Sequence, residues 1–258
     1  MSAATVVAIA NQKGGVGKST TAINLGAGLA FQGEHVLIVD LDPQGNTSSG
    51  LGLDRSSIEM STYDVLVDGT GISDVLEPTS VKDLHLVPAT IELAGAEIEL
   101  VSMFSREQRL RQSLGEIRGE YDFVLIDCPP SLGLLTINGL AAADEVLIPI
   151  QCEYYALEGV SQLTRNIELI TASLNPQLEV EGVVLTMFDG RTTLASDVVE
   201  QVRKHFGDTT YKTVIPRTVR LSEAPSYGEP IEAYDDMSRG AIAYRELARE
   251  FRRRHGRT

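Results

Sequence analysis

The chain has no tryptophan, only two cysteines among 258 residues, and no apolar run that approaches the length of a membrane span. Cys128 and Cys152 are too few and too far apart for a disulfide framework, an iron–sulfur cluster or a zinc site. Aromatic residues make up 5%, so the core must be aliphatic. The N-terminus MSAATVVAIA has no basic stretch before its apolar residues, which argues against a signal peptide and for a cytoplasmic protein. No Pro/Ser-rich linker and no repeat divides the sequence, and residues 1–258 read as a single domain. Positive charge is scarce in one part only. Residues 1–185 hold 9 Lys+Arg against 25 Asp+Glu, whereas residues 186–258 hold 13 against 11. A net charge of −14 argues against an anionic partner in general and confines any such contact to the relatively basic C-terminal part.

Apolar residues reach 43%, enough for a sizeable core and too many for a disordered chain. Continuous apolar, β-branched runs at 6–11, 35–40, 85–89, 123–127, 145–150 and 180–188 read as buried strands, with a weak last one at 214–216. Helix-period segments at 18–32, 91–101, 104–118, 132–142, 154–172, 194–206 and 237–254 alternate with them. That alternation predicts an α/β fold: a doubly wound, mostly parallel sheet with helices on both faces. The stretch 43–83 is the least regular.

The first strand runs into Asn11-Gln12-Lys13-Gly14-Gly15-Val16-Gly17-Lys18-Ser19-Thr20-Thr21 and then a helix. Strand, glycine-rich turn and helix form the setting of a phosphate loop, in which backbone N–H groups curl around phosphate oxygens and the helix N-terminus adds its dipole. Residues Lys13 to Thr20 are therefore the candidate phosphate-binding set. Lys18 suits the β- and γ-phosphates of ATP, and the Ser19 hydroxyl suits Mg²⁺. Gln12 stands where the strict G-x-x-x-x-G-K-[ST] pattern has its first glycine. K-G-G-x-G-K-[ST], with the additional Lys13, is the deviant form of that loop.

Two further strands end in carboxylates, at Asp40-Leu41-Asp42-Pro43 and at Asp127-Cys128-Pro129-Pro130. Ligands of open α/β sheets sit at these carboxyl ends. A lone terminal Asp is ordinarily a helix cap. Beside a phosphate loop, Asp127 suits Mg²⁺, Asp42 suits the orientation of an attacking water, and Asp40 suits a supporting place behind them. Cys128 reads as a small buried residue.

The stretches NQKGGVGKSTTAINLGAGLA, VLIVDLDPQGNTSSGLG, PATIELAGAEIELV, YDFVLIDCPPSLGLLTINGLAAADEVLIPIQCEYYALEG and IPRTVRLSEAPSYGEPI together resemble the ParA/Soj chromosome-segregation ATPases across nearly the whole chain. With no helix-turn-helix ahead of the phosphate loop, the sequence looks like the short chromosomal type. The resemblance implies an ATP-dependent homodimer in which Lys13 reaches the phosphates of the other subunit. It further implies sequence-independent binding of double-stranded DNA on the nucleoid, and hydrolysis stimulated by a ParB-type centromere-binding protein. It places switch I at about 42–50 and adenine-side contacts at Pro216 and Thr218, where Thr218 replaces an expected asparagine.

DNA requires Lys or Arg set against phosphates. The candidates are Arg191, Arg217, Arg220 and the C-terminal helix, where Arg245, Arg249 and Arg252 stack opposite the apolar Tyr244, Leu247, Ala248 and Phe251. Like charges four apart repel slightly, so the stripe points to an anionic partner. The plainer alternative is a solvated face softened by Glu246 and Glu250. A MinD-like action on membranes is the competing reading. It needs an apolar helix face free to insert, and no apolar residue follows Phe251.

Overall fold

A computed structural model describes residues 3–153 and 156–257. In chain order the regular elements are β1 (Thr5–Ile9), α1 (Lys18–Ala30), β2 (Val36–Asp40), α2 (Asn46–Gly50), β3 (Glu77–Pro78), β4 (Leu84–Val87), α3 (Leu93–Glu99), α4 (Arg109–Ile117) and β5 (Phe123–Asp127). They continue with α5 (Leu134–Ala142), β6 (Glu145–Gln151), α6 (Ala156–Ser173), β7 (Glu179–Phe188), α7 (Thr193–Phe206), β8 (Thr210–Pro216), α8 (Val219–Glu223), α9 (Ile231–Tyr234) and α10 (Arg239–Arg254). The expected start of the 154–172 helix lies outside the described residues.

The strands form one eight-stranded sheet in the order β3-β4-β2-β5-β1-β6-β7-β8, parallel except for the β3–β4 pair. Both faces are covered, which is why the strands read as continuous apolar runs. Val6, Ala8 and Val39 face a core shared with Leu114 of α4, Leu140 of α5 and Val202 of α7. Val7, Ile9 and Ile38 face α1 and α10 through Leu25, Leu29, Leu247 and Phe251. Phe251 is fully buried and meets Phe123 edge-on at 5.2 Å between ring centroids. Burying a side chain of that size stabilises the fold by roughly 1.5–3 kcal/mol.

The last strand is longer than its sequence announces. It begins at Thr210 and lies at the sheet edge, where Lys212 is exposed between the buried Tyr211 and the half-buried Thr213. That polar interruption hides it from an apolar-run reading. The stretch 43–83 holds only short pieces: α2, the two-residue β3, a π turn over Asp64–Asp68 and 3-10 turns at Arg55–Ser57 and Ile72–Val75.

Because β2, β5, β6 and β7 are parallel, their starts lie together at the amino end of the sheet. There the C-terminal residues close the fold. Arg252 Nε lies 2.7 Å from Glu34 Oε1 just before β2, and Arg257 bonds Glu34 and, at 2.6 Å, Asp122 just before β5. His255 Nε2 is 2.8 Å from Glu145 of β6, and Arg254 is 3.7 Å from Glu181 of β7. Burial pushes Asp122 upward, but Arg257 and the His35 N–H outweigh it and hold the carboxyl below its ordinary range.

Candidate active site

At the opposite, carboxyl end, register aligns the central strands: Ile9 pairs with Asp127, and Asp40 also pairs with Asp127. The loop leaving β1 therefore opens directly beside both carboxylates. Within it Gly15 and Gly17 take φ of 73° and 90°, left-handed values that a side chain would strain. Gly17 is the residue from which α1 departs, so the free N–H groups at the start of α1 face the loop's interior. Lys18 is buried, and its Nζ donates to the Lys13 carbonyl at 3.4 Å. Burial lowers its pKa, opposed by Asp127 and Asp42.

The loop, Asp42, Asn46 and Pro130 line a trough of about 430 Å³. Asp42 is 7% exposed and its Oδ1 accepts from the Gln44 N–H at 2.9 Å, which turns the chain into α2. Gly45, at φ 58°, precedes α2, and a Cβ there would meet the Ala89 carbonyl at 2.8 Å. Asp40 lies behind, fully buried, accepting from Ser48 N (2.9 Å), Ser48 Oγ (2.7 Å) and Asp42 N (3.1 Å). Thr47 Oγ1 donates to Asp127 Oδ2 at 2.7 Å. Thr47 and Ser48 are thus site residues that sequence reasoning missed. The run Asn46-Thr47-Ser48-Ser49 after Asp42 was the available signal.

Asp127 is fully buried, and its Oδ1 has no hydrogen-bond partner among the described residues. Burial raises the pKa of both Asp40 and Asp127, and at Asp40 the neighbouring Asp127 adds to the rise. Two like charges on paired strand ends beside one lysine form a site short of positive charge. A divalent cation fits that deficit, with the Asp127 carboxylate and the Ser19 hydroxyl as its donors. Cys128 is fully buried and its thiol is pushed far up, as an inert packing residue should be.

A second, smaller hollow of about 170 Å³ adjoins the trough and shares Gly17, Thr20 and Met187 with it. Pro216, Thr218, Ile215 and Tyr244 line it. Met187 sits at the junction with φ 53°, an uncommon value for a residue with a side chain. The Thr218 hydroxyl caps α8 by accepting from Leu221 N at 3.3 Å, so it is already engaged.

The remaining expected residues are scattered. Lys13 stands at the mouth of the trough, 41% exposed, with its ammonium 3.8 Å from Glu153, which also lies 3.9 Å from Arg217. Arg191 is 89% exposed and forked onto Asp189. Arg220 pairs with Glu223 at 3.1 Å and Asp235 at 3.4 Å. The C-terminal arginines do not form one stripe aimed outward. Arg245 turns onto Glu232 at 2.7 Å and Arg252 onto Glu34, while Arg249, paired with Glu246, stays on the open face. Nor is Glu250 a solvated residue. Its carboxylate accepts from the Lys212 and Thr213 N–H groups at 2.8 and 3.0 Å. The helix-periodic charges were real, but their partners are carboxylates of this chain.

Residues 4–180 match the family model described as AAA domain. The chain is 58% identical over 245 residues to the sporulation initiation inhibitor protein Soj of Bacillus subtilis, covering 95% of this chain and 97% of that one. It is 54% identical to the chromosome partitioning protein ParA of Myxococcus xanthus, covering 96% and 88%. A solved structure described as cobyrinic acid a,c-diamide synthase from Mycobacterium smegmatis, with bound ATP analog and magnesium, superposes with a TM-score of 0.84 at 42% identity, over 95% of this chain and 93% of that one. A glycine loop, two buried carboxylates on paired strand ends and near full-length similarity to Soj and ParA agree: the chain belongs to the ParA/Soj family of chromosome-partitioning ATPases.

Proposed function

We propose that this chain is a single-domain, Mg-dependent ATPase that dimerises on ATP, binds DNA without sequence preference as the dimer, and leaves DNA when a partner of the ParB type stimulates hydrolysis. The observation that carries the reading is the trough itself. The glycine loop, Lys18, Ser19 and Asp42 line one volume, and Asp127, buried beside Lys18, has an Oδ1 with no hydrogen-bond partner among the described residues. The relative bound to an ATP analog and magnesium supports the assignment of both to this trough.

Residues Gly14 to Thr20 hold the phosphates through backbone N–H groups, and Lys18 neutralises their charge. Ser19 and Asp127 hold Mg²⁺, which when bound offsets the charge developing on the phosphates. Asp42, anchored by the Gln44 N–H, orients a water at the mouth of the trough. Asp40 positions Asp42 and Ser48 without reaching the trough itself. The smaller hollow takes the adenine through Pro216 and the backbone at Thr218. Lys13 lies at the rim, in an exposed pair that costs little to break, and so is free to swing toward a second protomer. Arg191, Arg217 and Arg220 crowd the same end of the sheet and are the DNA contacts best exposed for the task. Arg245 and Arg252 contribute less, since their carboxylate pairs are the more buried ones, whereas those of Arg191 and Arg220 stand out in solvent. Cytoplasmic and nucleoid-associated placement follows from this role.

Action on a membrane is the weaker reading. The apolar face of α10 is spent on the core, with Tyr244, Leu247, Ala248 and Phe251 at 1% exposure or less. Among the described residues no helix is long and apolar enough to cross a membrane. Size-exclusion and co-sedimentation with duplex DNA or liposomes, in ATP, ADP and no nucleotide, test the proposal. The expected result is a dimer that sediments with DNA in ATP alone. A monomer in ATP, or sedimentation with liposomes, would overturn it.

A further inference from the structure

Away from the trough, the amino end of the edge strand β8 gathers positive charge that the chain does not use. Residues from the C-terminal ends of α7 and α10 line an open groove of about 740 Å³ there, among them Arg203, Lys212, Arg253 and Arg254 together with Asp208 and Glu250. Of these carboxylates, Glu250 is occupied by the Lys212 and Thr213 backbone and by Arg254 at 3.7 Å. Arg254 is likewise occupied, its guanidinium 3.8 Å above the Tyr211 ring and beside Glu181. Arg203, Lys212 and Arg253, and Lys204 next to the groove, have no ion pair among the described residues. By contrast Arg191, Arg220, Arg245, Arg249, Arg252 and Arg257 each meet a carboxylate. In a protein of net charge −14, Arg203, Lys212 and Arg253 line one groove without an ion pair among the described residues.

The helix dipole accounts for part of this, since cations favour the last turns of α7 and α10. It does not account for Lys212, a strand residue, or for residues of both helix ends lining one groove. The Arg203 Nη2 reaches across to the Lys212 carbonyl at 3.2 Å, which fixes its fork over the groove. In the wall, Thr210 is 6% exposed and its buried hydroxyl has no hydrogen-bond partner.

We propose that this groove binds phosphate groups. Two guanidinium forks and one ammonium suit tetrahedral oxyanions, and the acidic remainder of the surface repels them from elsewhere. Two sources present that chemistry: the backbone of duplex DNA, which rests on the DNA reading above, and a free phosphate or polyphosphate. For DNA the placement is favourable. β8 is seven residues long, so at about 3.3 Å per residue the groove and Arg217 lie roughly 20 Å apart along one edge, within reach of one duplex.

The test uses the triple variant Arg203→Gln, Lys212→Gln, Arg253→Gln in the full chain. In one arm, variant and parent both carry Asp42→Ala to hold the ATP-bound dimer, and DNA affinity is followed against salt with two unrelated duplexes. In the other, inorganic tripolyphosphate is titrated calorimetrically into protein saturated with Mg-ADP, so that the trough is filled. Loss of DNA affinity with a shallower salt slope, by about 0.9 for each phosphate contact removed, supports the groove with DNA as the source. Loss of tripolyphosphate binding alone supports it with a free phosphate as the source. If the parent fails to bind DNA at all, the DNA reading falls and the tripolyphosphate arm still decides the groove. If the triple variant matches the parent in both arms, or the parent binds neither probe, the proposal is overturned and the cations serve only the helix ends. Thermal melting of both proteins confirms that each arm compares folded chains.

Discussion

At the carboxyl end of the sheet, Asp42 and Asp127 lie beside one buried lysine with Asp40 behind them, and burial lifts Asp40 and Asp127 above the usual carboxylate range. At the amino end of the same strands, Glu34, Asp122 and Glu145 each meet an arginine or histidine of the C-terminal segment. Glu181 is the exception there: one oxygen lacks a partner despite Arg254, and burial pushes the carboxyl up to about 7. Both ends are rich in charge and both are well packed. They differ in whether the protein completes its own electrostatics. A cluster that does is a fastening. A cluster that leaves a buried oxygen unpartnered and a charge deficit beside an open volume has the character of a binding site.

Breaking the carboxyl end should give the largest effects. Lys18→Ala removes the buried cation of the trough, and ATP binding measured by calorimetry should fall below detection. Asp42→Ala should leave ATP affinity within a few-fold of the parent while single-turnover hydrolysis stops, because Asp42 faces the trough without being needed to hold phosphate. Lys13→Gln should preserve ATP binding by the monomer and abolish the ATP-dependent dimer on size-exclusion.

Breaking the Glu34 fastening at the amino end should change stability and leave the trough's ligand binding intact. Glu34 is 5% exposed and serves both Arg252 and Arg257. Glu34→Gln should cost about 1–3 kcal/mol in denaturant unfolding, less than a fully buried pair, because both arginines can turn toward water. His255 offers the smallest and most specific probe. Burial pushes its imidazole down, but Glu145 and the Phe251 carbonyl outweigh it and raise its pKa above the usual value of about 6.5. A raised folded-state pKa stabilises the protein fully below the unfolded value, and that contribution fades as pH rises through the folded one. The parent should therefore lose stability relative to His255→Gln as pH increases above about 6.5. A difference that stays flat with pH would show that the Glu145 pair carries no charge.

The carboxyl end was legible in sequence because its parts are local. The phosphate loop is one contiguous segment, and Asp42 and Asp127 each stand at or just beyond the end of an apolar run that could only be a buried strand. The amino end was not legible, because its contacts join distant residues. Arg252 and Glu34 are 218 positions apart, and no periodicity links them. The arginine stripe on α10 was therefore assigned to an outside partner when its ends are fastened within the chain. β8 was under-read because Lys212 breaks its apolar run, and α2 because its Thr47 and Ser48 reveal their use only when Asp127 and Asp40 lie opposite.

The contrast between the two ends is tested most directly by melting temperature with and without Mg-ATP in the parent, Lys18→Ala and Glu34→Gln. Lys18→Ala should melt no lower than the parent without ligand, since burial already disfavours its charge, and should lose the ligand-induced rise. Glu34→Gln should melt a few degrees lower without ligand and keep the full rise. A rise retained in Lys18→Ala, or lost in Glu34→Gln, would contradict the division of the sheet into a site at one end and a fastening at the other.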